Sequence, residues 1–527
     1  ADGNFSDAVI GVFSPTGVEV DAAEVVVTGS APEATPACNG ANDGASCGEG
    51  QVCYWSKCRN LRGWVPPIPE DRDDVSDYLG NRLRFFFGPY RNRALDLPKA
   101  LTALERMRTA DDPWTYWNAY MLAVRRLHDG HTSTSSLADF AVDNPKPLNV
   151  CFIEGDADLS HAVAPADGIY LDVLVSHVGD AKHLGLKRGD RLVAVDGMHP
   201  IAWARSLEES SWSHAAVSNH RTHAEHASGL RRFISRFAHE LSVVHCDETT
   251  GTCGEIETIS MADVPVLGED EEAGFVACDN RPLRHVADAP ESHGGPGTGV
   301  YYGVLSESDA VENVYGVEWQ SLYTNDGQDG VGANLREALA AVDDDAASGV
   351  VLDHRTGTGG TFAGPAIVWS WAVESKPLTF FQDRQLAEAE QPTLEEGAAL
   401  FADALAAGDV TYAGGSSPTS IPVALLITED VSASDWLPLG LKGAPNVAIF
   451  GPYETNGGFS TRYQLSYWLG MSVVLASGDT FVADGFSHNG TGVAPDFVVL
   501  PKQSDLVAGV DTVHAAALAW IRQELNP

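Results

Sequence analysis

Apolar residues change their spacing along the chain, and each spacing predicts a different kind of segment. Residues 1–30 alternate apolar and polar side chains, with Val18 and Val20 and then Val25 and Val27 in step, and predict a few short strands. From about 73 to 128 the apolar residues recur every three or four positions: Leu97, Leu101, Leu104 and Met107, then Trp114, Trp117, Met121, Val124 and Leu127. That period puts them on one face of a helix. Asp111 and Asp112 ahead of Pro113 mark a helix start, because a carboxylate can accept a free N–H and proline has none to lose. Strand-like runs return at 169–175 and 191–195, and a helical excursion follows at about 200–239.

The last region is built differently. Runs such as 349–352 and 422–427 are apolar almost throughout, and helical stretches near 332–344, 364–375, 395–406 and from about 513 alternate with them. Continuous apolar strands are buried on both faces, so the alternation predicts an α/β core with a largely parallel sheet. In such sheets chemistry collects beyond the carboxyl ends of the strands. Two small-residue segments fall there. Thr356-Gly357-Thr358-Gly359-Gly360 follows the strand ending at Leu352, and Glu429-Asp430-Val431-Ser432-Ala433-Ser434-Asp435 follows 422–427. A serine where a strand runs into a helix sits beside backbone N–H groups with no intrahelical partner, the setting a nucleophile needs. Taken alone, the same serine reads more simply as an ordinary helix cap.

Composition bounds the class. A chain of 527 residues is too long for one ordinary core and predicts two to four domains. Acids outnumber bases 73 to 33, and a formal charge of −40 repels phosphate backbones and anionic membranes, which argues against a nucleic-acid partner. No run approaches the ~18 apolar residues of a membrane span. The first residues, Ala1-Asp2-Gly3-Asn4, form no basic, apolar leader, so an export signal is expected to be absent or already removed.

The cysteines favour removal. Four of the eight, Cys38, Cys47, Cys53 and Cys58, crowd among Gly, Asn and Ser, a segment too small to hold together without staples. Spacings of eight, five and four residues lack the paired C-x2-C of a zinc knuckle, so bridges are expected rather than zinc. Cys246 and Cys253 flank a turn-rich loop and could staple a hairpin, which leaves Cys151 and Cys278 as a possible further bridge. This usage points to an oxidising, extracytoplasmic compartment, secreted or periplasmic. His220, His223 and His226, with Glu225 and His214 nearby, read as a solvated histidine-rich insertion, and no metal site is assigned.

The run 185–197, from Gly185 through Gly189-Asp190 to Asp196-Gly197, resembles the turn-and-strand signature of PDZ-like domains, which take extended peptides by strand addition. Around it the order of segments becomes recognisable. His128-Asp129-Gly130-His131-Thr132 precedes it; Asp353-His354-Arg355 with Gly359-Gly360, then Ser432, then Gly492-Val493-Ala494-Pro495-Asp496 follow. Over about residues 75–525 this succession resembles the S41 family of serine peptidases, the C-terminal processing proteases, tricorn core proteases and their relatives. The resemblance implies an α/β protease core of the S41 (ClpP/crotonase-like) type. Its expected organisation is an N-terminal β segment (1–36), a cysteine-rich module (37–62), a helical region carrying the histidine motif (63–148), a PDZ-like β domain with a histidine-rich helical insertion (149–265) and the peptidase core (266–527).

The resemblance also assigns roles. Ser432 matches the nucleophile, with Asp435 in place of the acid that follows it. Gly359 and Gly360 match the Gly-Gly turn that supplies the oxyanion hole together with the N–H after the nucleophile, here Ala433. Processing proteases use a lysine as base, but Gly457 stands at its position. The tricorn-like branch uses a histidine ahead of the PDZ-like unit, and His131 matches it better than His128 does. An imidazole near neutrality can take the serine proton and return it to the leaving group. That branch orients its histidine with a glutamate; here Asn489 occupies the place, and Glu454 is the other candidate for the third role. The expected function is a serine endopeptidase acting on a peptide or protein substrate, with no cofactor. Its rivals are a catalytically weak peptide- or ligand-binding protein on the same scaffold and a hydrolase of esters or modified peptides. Oligomeric state is not readable.

Overall fold

The structure is a computed structural model, and it describes residues 45–526 apart from 49, 55–56, 62–64, 66, 89–95, 135–146, 180–183, 208–218, 220, 248, 262–298, 309–311, 320, 323–329, 356, 384–392 and 468–470. The chain forms two compact units, 1–59 and 60–527. In the first, β1 (Ser46–Gly48), β2 (Gln51–Tyr54) and β3 (Lys57–Asn60) make a small sheet whose outer strands are joined by a Cys47–Cys58 disulfide. Cys53 is oxidised too, with its partner outside the described residues. Bridges rather than zinc therefore hold these cysteines. The strands expected at 1–30 also lie outside the described residues.

The second unit opens with three helices, α1 (Arg72–Phe86), α2 (Asp96–Thr109) and α3 (Pro113–Arg125). The three-and-four spacing holds: Leu104, Met107, Trp117, Met121 and Val124 are buried on their inner faces. Asp112 caps α3 by accepting the Thr115 N–H at 2.9 Å. After α3 the chain turns through His131 into a short strand, β4 (Ser133–Thr134).

A five-stranded antiparallel sheet follows, β5 (Val150–Gly155), β6 (Asp172–Val178), β7 (Arg191–Val195), β8 (Glu240–Cys246) and β9 (Cys253–Ser260), in that spatial order. Two helices, α4 (Pro200–Ser206) and α5 (Ala224–Phe237), replace the single helical excursion expected there. The strand expected from 169 begins only at Asp172, because the Asp167 carboxylate accepts the N–H groups of Ile169 and Tyr170 and holds them in a turn. Cys246 and Cys253 do staple the β8–β9 hairpin, and Cys151 is oxidised with a partner outside the described residues.

The core begins with β10 (Val300–Val304), β11 (Val314–Trp319), α6 (Gly330–Asp344), β12 (Gly349–Asp353) and α7 (Ala363–Ala372). It continues through β13 (Lys376–Asp383), α8 (Leu394–Ala407), β14 (Thr411–Ala413), β15 (Val423–Leu426) and α9 (Ala433–Leu441). Then come β16 (Val447–Gly451), β17 (Arg462–Tyr467), β18 (Met471–Ala476), β19 (Gly478–Phe481), β20 (Phe497–Val498), α10 (Gln503–Ala508) and α11 (Thr512–Leu525). The main sheet runs β10-β11-β12-β15-β16-β20, parallel from β11 onward.

Alternation decides which helices cover which face. Val350, Leu352, Val423 and Leu425 pack with Leu335 of α6, Trp369 of α7 and Leu437 of α9, whereas Val351, Ala424 and Leu426 pack with Val513, Ala517 and Ile521 of α11. Both faces are covered, as uninterrupted apolar strands require. β12 and β15 are paired with Asp353 opposite Leu426, so the loops leaving their carboxyl ends emerge side by side. The five-stranded sheet is fastened to the core through α10. Gln503 accepts from Ser160 and donates to the Gly189 carbonyl, and a side chain at Gly189 would strike Val507 at 2.4 Å. Among the described residues no helix is long and apolar enough to cross a membrane.

Candidate active site

The β15–α9 turn holds its central residue in an unusual backbone conformation. Ser432 has φ 64° and ψ −127°, a region that a residue with a side chain enters at a cost of about 1–3 kcal/mol unless its surroundings force it. Two buried carboxylates do the forcing. Asp430 accepts the N–H of Gly357 at 2.5 Å and of Thr428 at 2.9 Å, and the Val431 N–H reaches the Gly357 carbonyl. Asp435 accepts the N–H groups of Gly457 and Gly458, each at 2.8 Å. Burial pushes the Asp435 carboxyl up to about 7 against the opposing bonds from Thr455, Gly457, Gly458 and the Ser432 backbone. Burial likewise holds Asp430 well above the usual carboxylate range. The outcome is a sharp strand-to-helix turn that lifts the Ser432 hydroxyl out of the chain path.

That hydroxyl is not used for capping. Ser432 stands at the N-cap of α9 but makes no capping bond, and its hydroxyl has no other hydrogen-bond partner among the described residues. The glycine loop after β12 lies against it: a side chain at Gly359 would come within 2.7 Å of the Ser432 Cβ, and Gly359 itself sits at φ 80°. Of the three expected oxyanion donors, the N–H groups of Gly360 and Ala433 are uncommitted among the described residues. The Gly359 N–H is not. It donates to the Ser434 Oγ at 3.0 Å.

This bond belongs to a relay that the sequence did not reveal. His354 is fully buried, stacks on the Trp319 ring at 4.6 Å and places its Nε2 2.8 Å from the Ser434 Oγ and its Nδ1 3.1 Å from the Trp319 carbonyl. A carbonyl can only accept, so Nδ1 carries the proton, Nε2 accepts, and the Ser434 hydroxyl donates to it. Its oxygen remains to accept from Gly359. Nothing local signals this arrangement, since Ser434 and Gly359 are 75 residues apart.

His131 follows α3, held by the Asp129 carboxylate on its own N–H at 2.8 Å and by Thr132, whose Oγ1 accepts the Ala476 N–H. The side chain is buried, and neither ring nitrogen has a hydrogen-bond partner of good geometry among the described residues. Burial lowers its pKa below 6.5; Asp129 and the Ser460 backbone pull the other way, and Arg462 reinforces the lowering. Gly458, Phe459 and Ser460 run from the turn to the histidine: a side chain at Gly458 would lie 3.2 Å from the Ser432 nitrogen, and Ser460 faces the ring. No hydrogen bond joins His131 to Ser432. His128, by contrast, pairs with Asp96 at 3.4 Å.

Neither candidate for the third role bonds to His131. The Asn489 Oδ1 accepts from the Phe459 N–H at 3.0 Å and the Ser460 Oγ at 3.2 Å, and its amide donates to Asp479 at 2.8 Å. Glu454 sits 3.7 Å from Arg221, with its Oε2 buried and unpartnered among the described residues. Nearby, the buried Asn219 amide donates to the carbonyls of Thr455 and Thr491 at 2.6 and 3.0 Å, joining two loops beside the turn. Asp156, His161 and Asp172 form a cluster outside the turn that could hold a cation, but Arg191 already pairs with Asp172. His214 and His220 of the histidine-rich stretch lie outside the described residues.

Residues 321–499 match the model of peptidase family S41. The fold resembles that of mature CPAF complexed with lactacystin (12% identity, 86% of this chain and 97% of that one, TM-score 0.53). It also resembles a mutant of CPAF (11% identity, 85% and 97%, TM-score 0.56). No curated protein matches the chain in sequence.

Proposed function

We propose that this chain, a serine-type peptidase of the S41 kind, cuts peptide bonds with Ser432 as nucleophile and His131 as general base. The observation that carries the proposal is the Ser432 turn: a strained residue whose hydroxyl is uncommitted, followed by the uncommitted Ala433 N–H and packed against the glycine loop that carries the uncommitted Gly360 N–H. Strain that surroundings impose, and hydrogen-bonding capacity left unused inside a folded protein, both concentrate where chemistry is done.

In the first step the Ser432 Oγ adds to the substrate carbonyl carbon while its proton passes to a ring nitrogen of His131. The carbonyl oxygen becomes an oxyanion and is held by the N–H groups of Gly360 and Ala433, donors fixed before the charge develops. His131 then gives the proton to the departing amine as the C–N bond breaks, and water repeats the sequence to release the acyl group. The buried, depressed imidazole is neutral at pH 7, the form in which it can accept a proton. Asn489 acts at one remove, holding Phe459 and Ser460 in place behind the ring.

The five-stranded sheet at 149–265 serves as a PDZ-like unit that docks an extended substrate or gates its entry. Disulfides at Cys47–Cys58 and Cys246–Cys253 favour an oxidising, extracytoplasmic setting. One observation favours the rival binding protein: no carboxylate or amide among the described residues orients His131. Fluorophosphonate labelling decides between them. A peptidase is labelled at Ser432 and loses both labelling and hydrolysis in Ser432→Ala, whereas a binding protein keeps peptide affinity without ever being labelled.

A further inference from the structure

We infer that the Ser434–His354 pair is a positioning relay that aims the oxyanion loop, by taking the Gly359 N–H out of use and leaving the Gly360 N–H to face the substrate. The inference rests on Ser432 being the nucleophile. It starts from a peculiarity of the site: two serines stand two positions apart at the start of one helix, and the histidine within hydrogen-bonding distance belongs to the second one.

Ser434 and His354 are fully buried, so no peptide can reach them. Every atom in the chain of bonds has a direction: Trp319 carbonyl from His354 Nδ1–H, His354 Nε2 from the Ser434 hydroxyl, Ser434 oxygen from the Gly359 N–H. The relay therefore ties the end of β11, the loop after β12 and the first turn of α9 together at one point. The space is closed as well, since a side chain at Gly357 would meet the Ser434 Cβ at 2.5 Å and the His354 Nε2 at 2.6 Å. Gly359, pinned at φ 80°, is the residue that lies against the Ser432 side chain, and the next residue, Gly360, follows it at φ 142°. Consecutive glycines have wide conformational freedom, and a loop made of them needs an external constraint to keep one N–H aimed at a developing charge.

The test compares Ser434→Ala, His354→Phe and the double variant with the parent protein. Hydrolysis rates are referred to folded protein measured by near-ultraviolet circular dichroism. Misdirecting a donor is expected to lower kcat about tenfold to a hundredfold with KM within about twofold. Because the two side chains act as one unit, the double variant is expected to lose no more than the worse single variant. Exchange of the backbone amides in the 353–362 peptide, read by mass spectrometry, is expected to quicken in Ser434→Ala whether or not the protein hydrolyses anything. Unchanged kcat per folded molecule, additive losses or unaltered exchange would each overturn the relay. If Ser432→Ala stays labelled by a fluorophosphonate while Ser434→Ala does not, the nucleophile assignment falls with it; if Ser432→Ala is dead and Ser434→Ala fully active, only the relay falls.

Discussion

Two serines on one helical turn, Ser432 and Ser434, meet opposite fates. The Ser434 hydroxyl both donates and accepts, solvent is shut out, and the histidine at hand is locked into one tautomer by a carbonyl. At Ser432 the hydroxyl, and at Gly360 and Ala433 the N–H groups, are left without partners among the described residues, and so are both ring nitrogens of His131, the histidine proposed to serve it. Proximity of a serine to a histidine is thus a poor guide to chemistry. On the proposed reading, what separates the nucleophile from the scaffolding serine is unused hydrogen-bonding capacity, which inside a protein costs about 1–3 kcal/mol per group and is retained where function offsets that loss.

The contrast can be broken most decisively at the open serine. If Ser432 is the nucleophile as proposed, Ser432→Ala is expected to lower kcat by about 10⁶ and to abolish labelling, since only binding and the oxyanion hole would remain. The thermal unfolding midpoint should hold, because no packing is lost. His131→Ala comes next, with a loss of about 10⁴ or more in kcat measured on a chromogenic peptide. The parent protein sharpens the same point through its pH profile. Because burial lowers the His131 pKa below 6.5, the acidic limb of kcat/KM is expected to lie below that value if His131 is the base as proposed.

Asn489→Ala probes the support behind the ring. It strips acceptors from the Phe459 N–H and the Ser460 hydroxyl and is expected to cost about 1–3 kcal/mol in urea unfolding, with a smaller fall in kcat than His131→Ala. The smallest effect concerns charge under the turn. Glu154 of β5 is buried, and burial together with Glu429 pushes its carboxyl up to about 7. The neutral form is favoured by folding, so its contribution is present at acid pH and lost as pH rises through about 7. Glu154→Gln should therefore flatten the decline in urea midpoint from mildly acid to mildly alkaline pH while leaving the acid-side midpoint nearly unmoved.

Much of this arrangement was legible in the sequence, and the reason is local. The apolar runs at 349–352 and 422–427 forced buried parallel strands, and the small residues after each forced tight turns at their carboxyl ends; helix boundaries in the core fall within a few residues of the expected ones. Asp112 as a cap and Cys246 with Cys253 as a hairpin staple were readable because their partners are neighbours in the chain. What was not readable depends on side chains meeting across long separations. Gly359 was expected to serve the oxyanion, but Ser434 claims its N–H; Asn489 was expected on the histidine, but Ser460 and Phe459 claim its carbonyl. Even a local turn can overrule a pattern, as Asp167 does when it delays β6 past Ile169.

Asn219 carries a mechanical consequence. One amide serves two carbonyls, Thr455 on the segment that leads to Gly457 and Thr491 on the loop that follows Asn489. It works as a rivet through two plates. Asn219 cannot leave its place without stripping both carbonyls at once, so the two loops beside the Ser432 turn are held by a single shared fastening.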